Sequence, residues 1–87
     1  MAFAAETICV QGSNERRDPF GAISIPIYQN AAYAHPGLGQ STGYDYSRCG
    51  NPTRDEVQKT VALLEQGTEA LALSTGMAAI TALMEIF

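Results

Sequence analysis

The segment Thr53–Phe87, TRDEVQKTVALLEQGTEALALSTGMAAITALMEIF, reads as helix, strand and helix in turn. Thr53 followed by Glu56 makes a capping box, in which the hydroxyl takes a free N–H and the glutamate reaches back. Asp55 and Glu56 also suit the positive end of a helix dipole. Val57, Val61 and Leu64 share one face, and Gly67 fits a stop, so the pattern predicts a helix over 53–66. Glu69–Ser74, EALALS, is an apolar run between Gly67 and Gly76 and reads as a buried strand. Residues 76–87, GMAAITALMEIF, carry Glu85 as their one charge, so a helix buried on most faces is expected. That helix has no stop signal, and one helix–strand–helix unit does not cover both sides of a strand. The expectation is the N-terminal part of a larger α/β protein; a small domain completed by an oligomer is the alternative.

Upstream, regular structure is harder to find. Residues 1–12 fit a short helix or an extended arm equally. Gly12–Gly21, GSNERRDPFG, reads as a loop. In Ala22–Gln29, AISIPIYQ, apolar and polar residues alternate, but Pro26 makes it an extended edge or arm rather than a central strand. His35–Thr53, HPGLGQSTGYDYSRCGNPT, is a long irregular segment, and irregular segments beyond about 12–15 residues are usually functional or disordered.

The chain has 87 residues, of which 46% are hydrophobic and 16% charged, a globular composition with room for one small domain at most. Ordering costs roughly 1.5 kcal/mol per residue, so an isolated core of this size is marginal without a staple. Cys9 and Cys49 lie far apart in a chain without secretory signals, and two free thiols are expected. With one histidine and no CxxC or HxxxH spacing, no metal site is expected. A net charge of −4 gives no footprint for nucleic acid. The start, MAFAAETICVQGS, lacks a basic n-region, so a signal peptide is not expected, and no apolar run approaches the roughly 20 residues of a membrane span.

Two constellations carry chemistry. Leu73–Ala79, LSTGMAA, stands where a strand hands over to a helix, whose free N–H groups attract anions. Gly76 permits close approach of a phosphate, and Ser74 and Thr75 add hydroxyl donors; the plain alternative is an ordinary tight turn. It is not a Walker A loop, and GLGQSTG, residues 37–43, has the wrong glycine spacing for a dinucleotide fingerprint. The second constellation is Tyr44, Tyr46 and Arg48, where a planar guanidinium beside phenols suits phosphate or carboxylate. Taken alone, a solvated arginine between packed aromatics is the better reading of Arg48. His35 reads as structural or exposed, the Arg16–Arg17 pair as a solvated loop, Cys49 as a bystander thiol and Lys59 as an exposed helix residue.

GAISIPIYQNAAY, GYDYSRCGNPTR and ALALSTGMAAI together resemble the pyridoxal-phosphate enzymes of trans-sulfuration, in order and in spacing, over nearly the whole chain. This is the family of cystathionine γ-synthase, the cystathionine β- and γ-lyases, methionine γ-lyase and O-acetylhomoserine sulfhydrylase. The resemblance implies the aspartate-aminotransferase-like (type I) α/β fold, with residues 1–52 as N-terminal arm and interface loop and 53–87 as the incomplete start of the pyridoxal-phosphate domain. It implies a cytoplasmic homotetramer of tight dimers, with active sites at the dimer interface and small amino-acid substrates. It implies that the N–H groups of Gly76 and Met77 hold the cofactor phosphate within their own subunit, while Tyr46 and Arg48 reach across to the neighbour's. Thr75 stands where many members have serine and keeps the hydroxyl. The family's Schiff-base lysine is expected downstream, and Lys59 does not match its motif, so no catalytic residue is expected in this chain and inactivity of the chain alone is. The expected chemistry of the intact protein is γ-replacement on an activated homoserine, with a lyase as the alternative and an inactive association module as the rival from another class.

Overall fold

The computed structural model describes residues 4–13 and 18–87. Three helices occur among them, α1 (Ala5–Gln11), α2 (Pro52–Leu64) and α3 (Gly76–Ile86). Residues 1–12, open between helix and arm in the sequence, thus contain a helix. At seven residues α1 is too short to be stable by itself. It is held by packing on α2, where Ile8 and Ala62 are buried.

The α1–α2 junction is polar as well as apolar. Gly12 adopts φ 67° and closes α1 with its N–H on the Ile8 carbonyl at 2.8 Å. This turn delivers Ser13 to α2: its N–H donates to Glu56 Oε2 at 2.7 Å and its hydroxyl to Oε1 at 2.6 Å.

The expected capping box is therefore not the cap. Asn51 caps α2, its Oδ1 accepting from the Thr53 N–H at 2.8 Å, with Pro52 in the first helical turn. Proline is favoured there because its missing N–H has no intrahelical partner to lose and its φ is already helical. With the start moved upstream, Glu56 stands too far into the helix to reach the cap and serves α1 instead. The Thr53 hydroxyl accepts from the Tyr28 N–H at 2.8 Å and tethers the arm. At the other end the stop is displaced too. Gln66, not Gly67, takes the left-handed conformation with φ 56°. The Gly67 N–H bonds the Ala62 carbonyl at 2.9 Å and that of Gln66 bonds Leu63 at 3.3 Å, the paired bonds of a Schellman motif.

Glu69–Ser74 forms no strand, and none occurs among the described residues beyond isolated bridges. A strand needs a neighbouring backbone, and here the Ala72 N–H finds only the Gln58 side chain, at 3.0 Å. Leu71 is 69% exposed. α3 likewise forms where expected but is not buried: Met77, Ile80, Leu83 and Met84 are exposed. The radius of gyration of 15.1 Å exceeds the about 12 Å of a compact domain of this length, so the chain does not wrap these faces in a core of its own.

Residues 22–29 form no strand and bend at Ile23 and Ser24, and Asp18 organises the turn before them by accepting from Phe20 and Ala22. Arg16 and Arg17 lie outside the described residues. No described helix is long and apolar enough to cross a membrane.

Candidate functional site

The irregular segment is held in place by its polar residues. Ala32 and Tyr46 form an antiparallel bridge, with Ser47 N–H on the Ala31 carbonyl at 2.8 Å and Tyr33 N–H on that of Asp45 at 3.3 Å. The chain then turns, the Tyr46 carbonyl accepting from Cys49 at 2.9 Å and Gly50 at 3.0 Å. The Ser47 hydroxyl donates to the Asn30 carbonyl. Asn51 Nδ2 donates to Ser47 Oγ and to the Tyr28 carbonyl, each at 3.2 Å. From the first turn of α2, Arg54 donates to the carbonyls of Arg48 at 3.2 Å and Cys49 at 2.9 Å.

These contacts divide the expected trio. Tyr44 turns inward, donating to Asp55 Oδ2 at 2.5 Å, with its ring 5.7 Å from that of Tyr33. Tyr46 and Arg48 remain exposed and engage each other: Arg48 Nη2 donates to the Tyr46 hydroxyl at 3.1 Å, and the guanidinium carbon lies 5.2 Å from the ring centroid. Among the described residues no carboxylate pairs with Arg48. Tyr44 differs from Tyr46 and Arg48 because its hydroxyl has the Asp55 carboxylate of α2 to bind, whereas the Tyr46 and Arg48 side chains bond each other.

At the start of α3, Thr75 is the cap. Its Oγ1 accepts from the Ala78 N–H at 2.9 Å, and its carbonyl accepts from Ala79 at 3.1 Å. The Thr75 oxygen thus accepts within its own helix, while its hydroxyl proton remains available to donate. Of the four N–H groups that a helix start leaves without intrahelical partners, the cap takes that of Ala78. Those of Gly76 and Met77 are left at the exposed tip, and nothing stands within 4 Å of where a Gly76 side chain would begin. Chemically, this tip and the Tyr46–Arg48 pair each suit an anion. No hydrogen bond among the described residues joins one to the other.

The remaining candidates fall outside both groups. His35 Nε2 lies 2.8 Å from Asp45 Oδ1, both side chains being well exposed at 42% and 65%. Cys9 and Cys49 are free and exposed. Lys59 is half-buried on α2, more enclosed than its sequence position implies. Asn51–Pro52–Thr53, read from the sequence as ending the loop and capping the helix, does so through Asn51. Sequence reading overlooked Ser47 and Arg54 as residues that fix the loop.

The model of the Cys/Met metabolism PLP-dependent enzyme family matches residues 6–87. Cystathionine gamma-synthase of Haemophilus influenzae is 46% identical over 85 residues, covering 98% of this chain and 23% of that protein. Cystathionine gamma-lyase of Bacillus subtilis is also 46% identical, over 82 residues, covering 94% of this chain and 22% of that protein. The crystal structure of cystathionine gamma synthase from Xanthomonas oryzae pv. oryzae in complex with cystathionine superposes with a TM-score of 0.85 at 35% identity, over 98% of this chain and 22% of that one. The chain thus spans less than a quarter of the length of these relatives. Within that span its backbone follows the type I fold of the pyridoxal-phosphate enzymes, and the chain belongs to the Cys/Met metabolism PLP-dependent enzyme family.

Proposed function

We propose that this chain supplies the phosphate-holding part of a pyridoxal-phosphate site in a trans-sulfuration enzyme. In this reading the Gly76 and Met77 N–H groups hold the cofactor phosphate of their own subunit, and Tyr46 and Arg48 reach the phosphate of a neighbouring one. The observation that carries it is the exposed Tyr46–Arg48 pair, left without a carboxylate among the described residues, beside Tyr44, Asn51 and Arg54, whose side chains are bonded to the loop and α2. The Tyr46 hydroxyl accepts from Arg48, so its own proton remains available for a phosphate oxygen. The guanidinium retains further N–H donors for the same group. When bound, the cofactor supplies the electron sink for carbanion chemistry on an amino-acid substrate. The residues of this chain bind and orient it.

Residues 1–52 then act as arm and interface loop, and 53–87 open the cofactor domain of a cytoplasmic homo-oligomer, a homotetramer with its sites at dimer interfaces. Lys59, the one lysine of the chain, sits half-buried on α2 and is given no catalytic part, so these 87 residues alone are read as inactive. The exposed apolar faces of α3 and Leu71 support association with further protein.

For the reaction we favour γ-replacement on an activated homoserine, supported by the likeness to gamma-synthases. A lyase reading has equal sequence identity behind it. The test is to incubate the full-length protein carrying this sequence with O-succinyl- or O-acetylhomoserine and a thiol, and separately with cystathionine. Formation of the thioether supports replacement. Keto-acid release from cystathionine, without thioether formation, supports the lyase.

A further inference from the structure

We infer that Arg54 is a positioning residue for the Tyr46–Arg48 pair: by holding the carbonyls of Arg48 and Cys49 it fixes the direction from which the pair meets an anion. This rests on the phosphate reading above. Arg54 lies in the first turn of α2, a turn fixed by the Asn51 cap. Its Nη1 reaches the Arg48 carbonyl at 3.2 Å and its Nη2 the Cys49 carbonyl at 2.9 Å. Two donors of one planar group on successive carbonyls fix the orientation of the peptide unit between them, which a single flexible ammonium does not do. The inner side of the same turn is closed by the Tyr46 carbonyl, which accepts from Cys49 and Gly50. The backbone that carries Arg48 is thereby pinned from both sides, and its reference is a rigid helix rather than a loop.

Two further features fit this role. Arg54 Nε is buried without a hydrogen-bond partner, so among the described residues the two carbonyls are the hydrogen-bonding groups that orient the guanidinium. Among the described residues no carboxylate neutralises Arg54, since neighbouring Asp55 accepts from Tyr44. Its charge is thus oriented on the loop rather than consumed in an ion pair. Misplacement of a binding group by about 1 Å is enough to cost up to 10²-fold in function.

The experiment uses the full-length holoenzyme and compares Arg48→Ala, Arg54→Met, Arg54→Lys and the double variant Arg48→Ala/Arg54→Met. It reads the pyridoxal-phosphate dissociation constant and the ³¹P resonance of the bound phosphate. Arg54→Met is expected to weaken retention about tenfold and to move the resonance in the same direction as Arg48→Ala. The double variant is expected to be no weaker than Arg48→Ala, because Arg54 acts through Arg48. Arg54→Lys keeps the charge but reaches one carbonyl, and is expected to recover only part of the loss; it also serves if the methionine variant does not fold. A native ³¹P signal and affinity in Arg54→Met, additive losses in the double variant, or full rescue by lysine overturns the inference. Unchanged affinity in Arg48→Ala overturns the phosphate reading itself, whereas weakened Arg48→Ala beside native Arg54→Met overturns only the role of Arg54.

Discussion

Arg48 donates to the hydroxyl of Tyr46 at 3.1 Å with its guanidinium 5.2 Å from the same ring. A cation within about 6 Å of a ring centroid is attracted by the ring face. The tyrosine therefore holds the arginine in one direction while leaving most of its donors exposed. Arg48→Ala in the full-length protein is expected to weaken cofactor retention by about 1.5–3 kcal/mol, the range for hydrogen bonds to charged groups. Tyr46→Phe keeps the ring and loses the hydroxyl, and is expected to cost less. Equilibrium dialysis of the cofactor checks both, and equal affinity across all three proteins would count against the pair as a phosphate site.

Gly12 stands at φ 67°, and a side chain there would meet the Glu56 carboxylate that binds Ser13. Gly12→Ala is expected to break that junction and destabilise it locally by about 1–3 kcal/mol, the cost of a residue forced into a sparse backbone region. Hydrogen exchange at the Ser13 amide reads the effect, which is faster exchange in the variant. An unchanged rate would show that the turn tolerates a Cβ.

Gln66 carries a side chain in the left-handed conformation at the end of α2. That conformation costs a non-glycine residue roughly 1–2 kcal/mol, partly offset by the greater freedom glycine loses on folding. Gln66→Gly is expected to stabilise the last turn of α2 by about 0.5–1 kcal/mol, seen as slower exchange of the Gly67 amide. Faster exchange would mean that the glutamine makes a compensating contact.

Asp45 gathers the 35–45 loop, accepting from Ser41 at 2.8 Å and lying 2.8 Å from His35 Nε2. The Ser41 hydrogen bond holds its carboxyl below the ordinary 3.8, and the His35 hydrogen bond and charge add to this against a desolvation effect that raises it. A lowered folded value means that the clasp contributes above the ordinary carboxylate pKa and is lost as pH falls through the lower, folded value. A carbon-detected NMR titration is expected to give a midpoint below 3.8 that rises in Ser41→Ala. A midpoint unmoved by that substitution would remove Ser41 as the main cause.

Helix existence was legible from residues 53–66 and 76–87 because their apolar spacing and small side chains act locally. The family was legible for a different reason: YDYSRCGNPTR and LSTGMAA are specific strings in a specific order. The ends of α2 were misread by one or two residues. Thr53 and Glu56 form a valid capping box in isolation, but Asn51–Pro52 make a better start. Glu56 is drawn instead to Ser13, 43 positions away.

The sequence by itself determined α2 and α3, the absence of a metal-ligand pattern and the membership of the family, all of which depend on local spacing or on strings, whereas α1 needed its packing on α2. Tertiary structure decided which of Tyr44, Tyr46 and Arg48 remain outward, because that follows from the Ala32–Tyr46 bridge, the Tyr44–Asp55 bond and the Arg54 clamp. It also decided that Glu69–Ser74 is no strand in this chain: apolar composition favours burial, but a ladder needs the backbone of a second segment, and none among the described residues is there to pair.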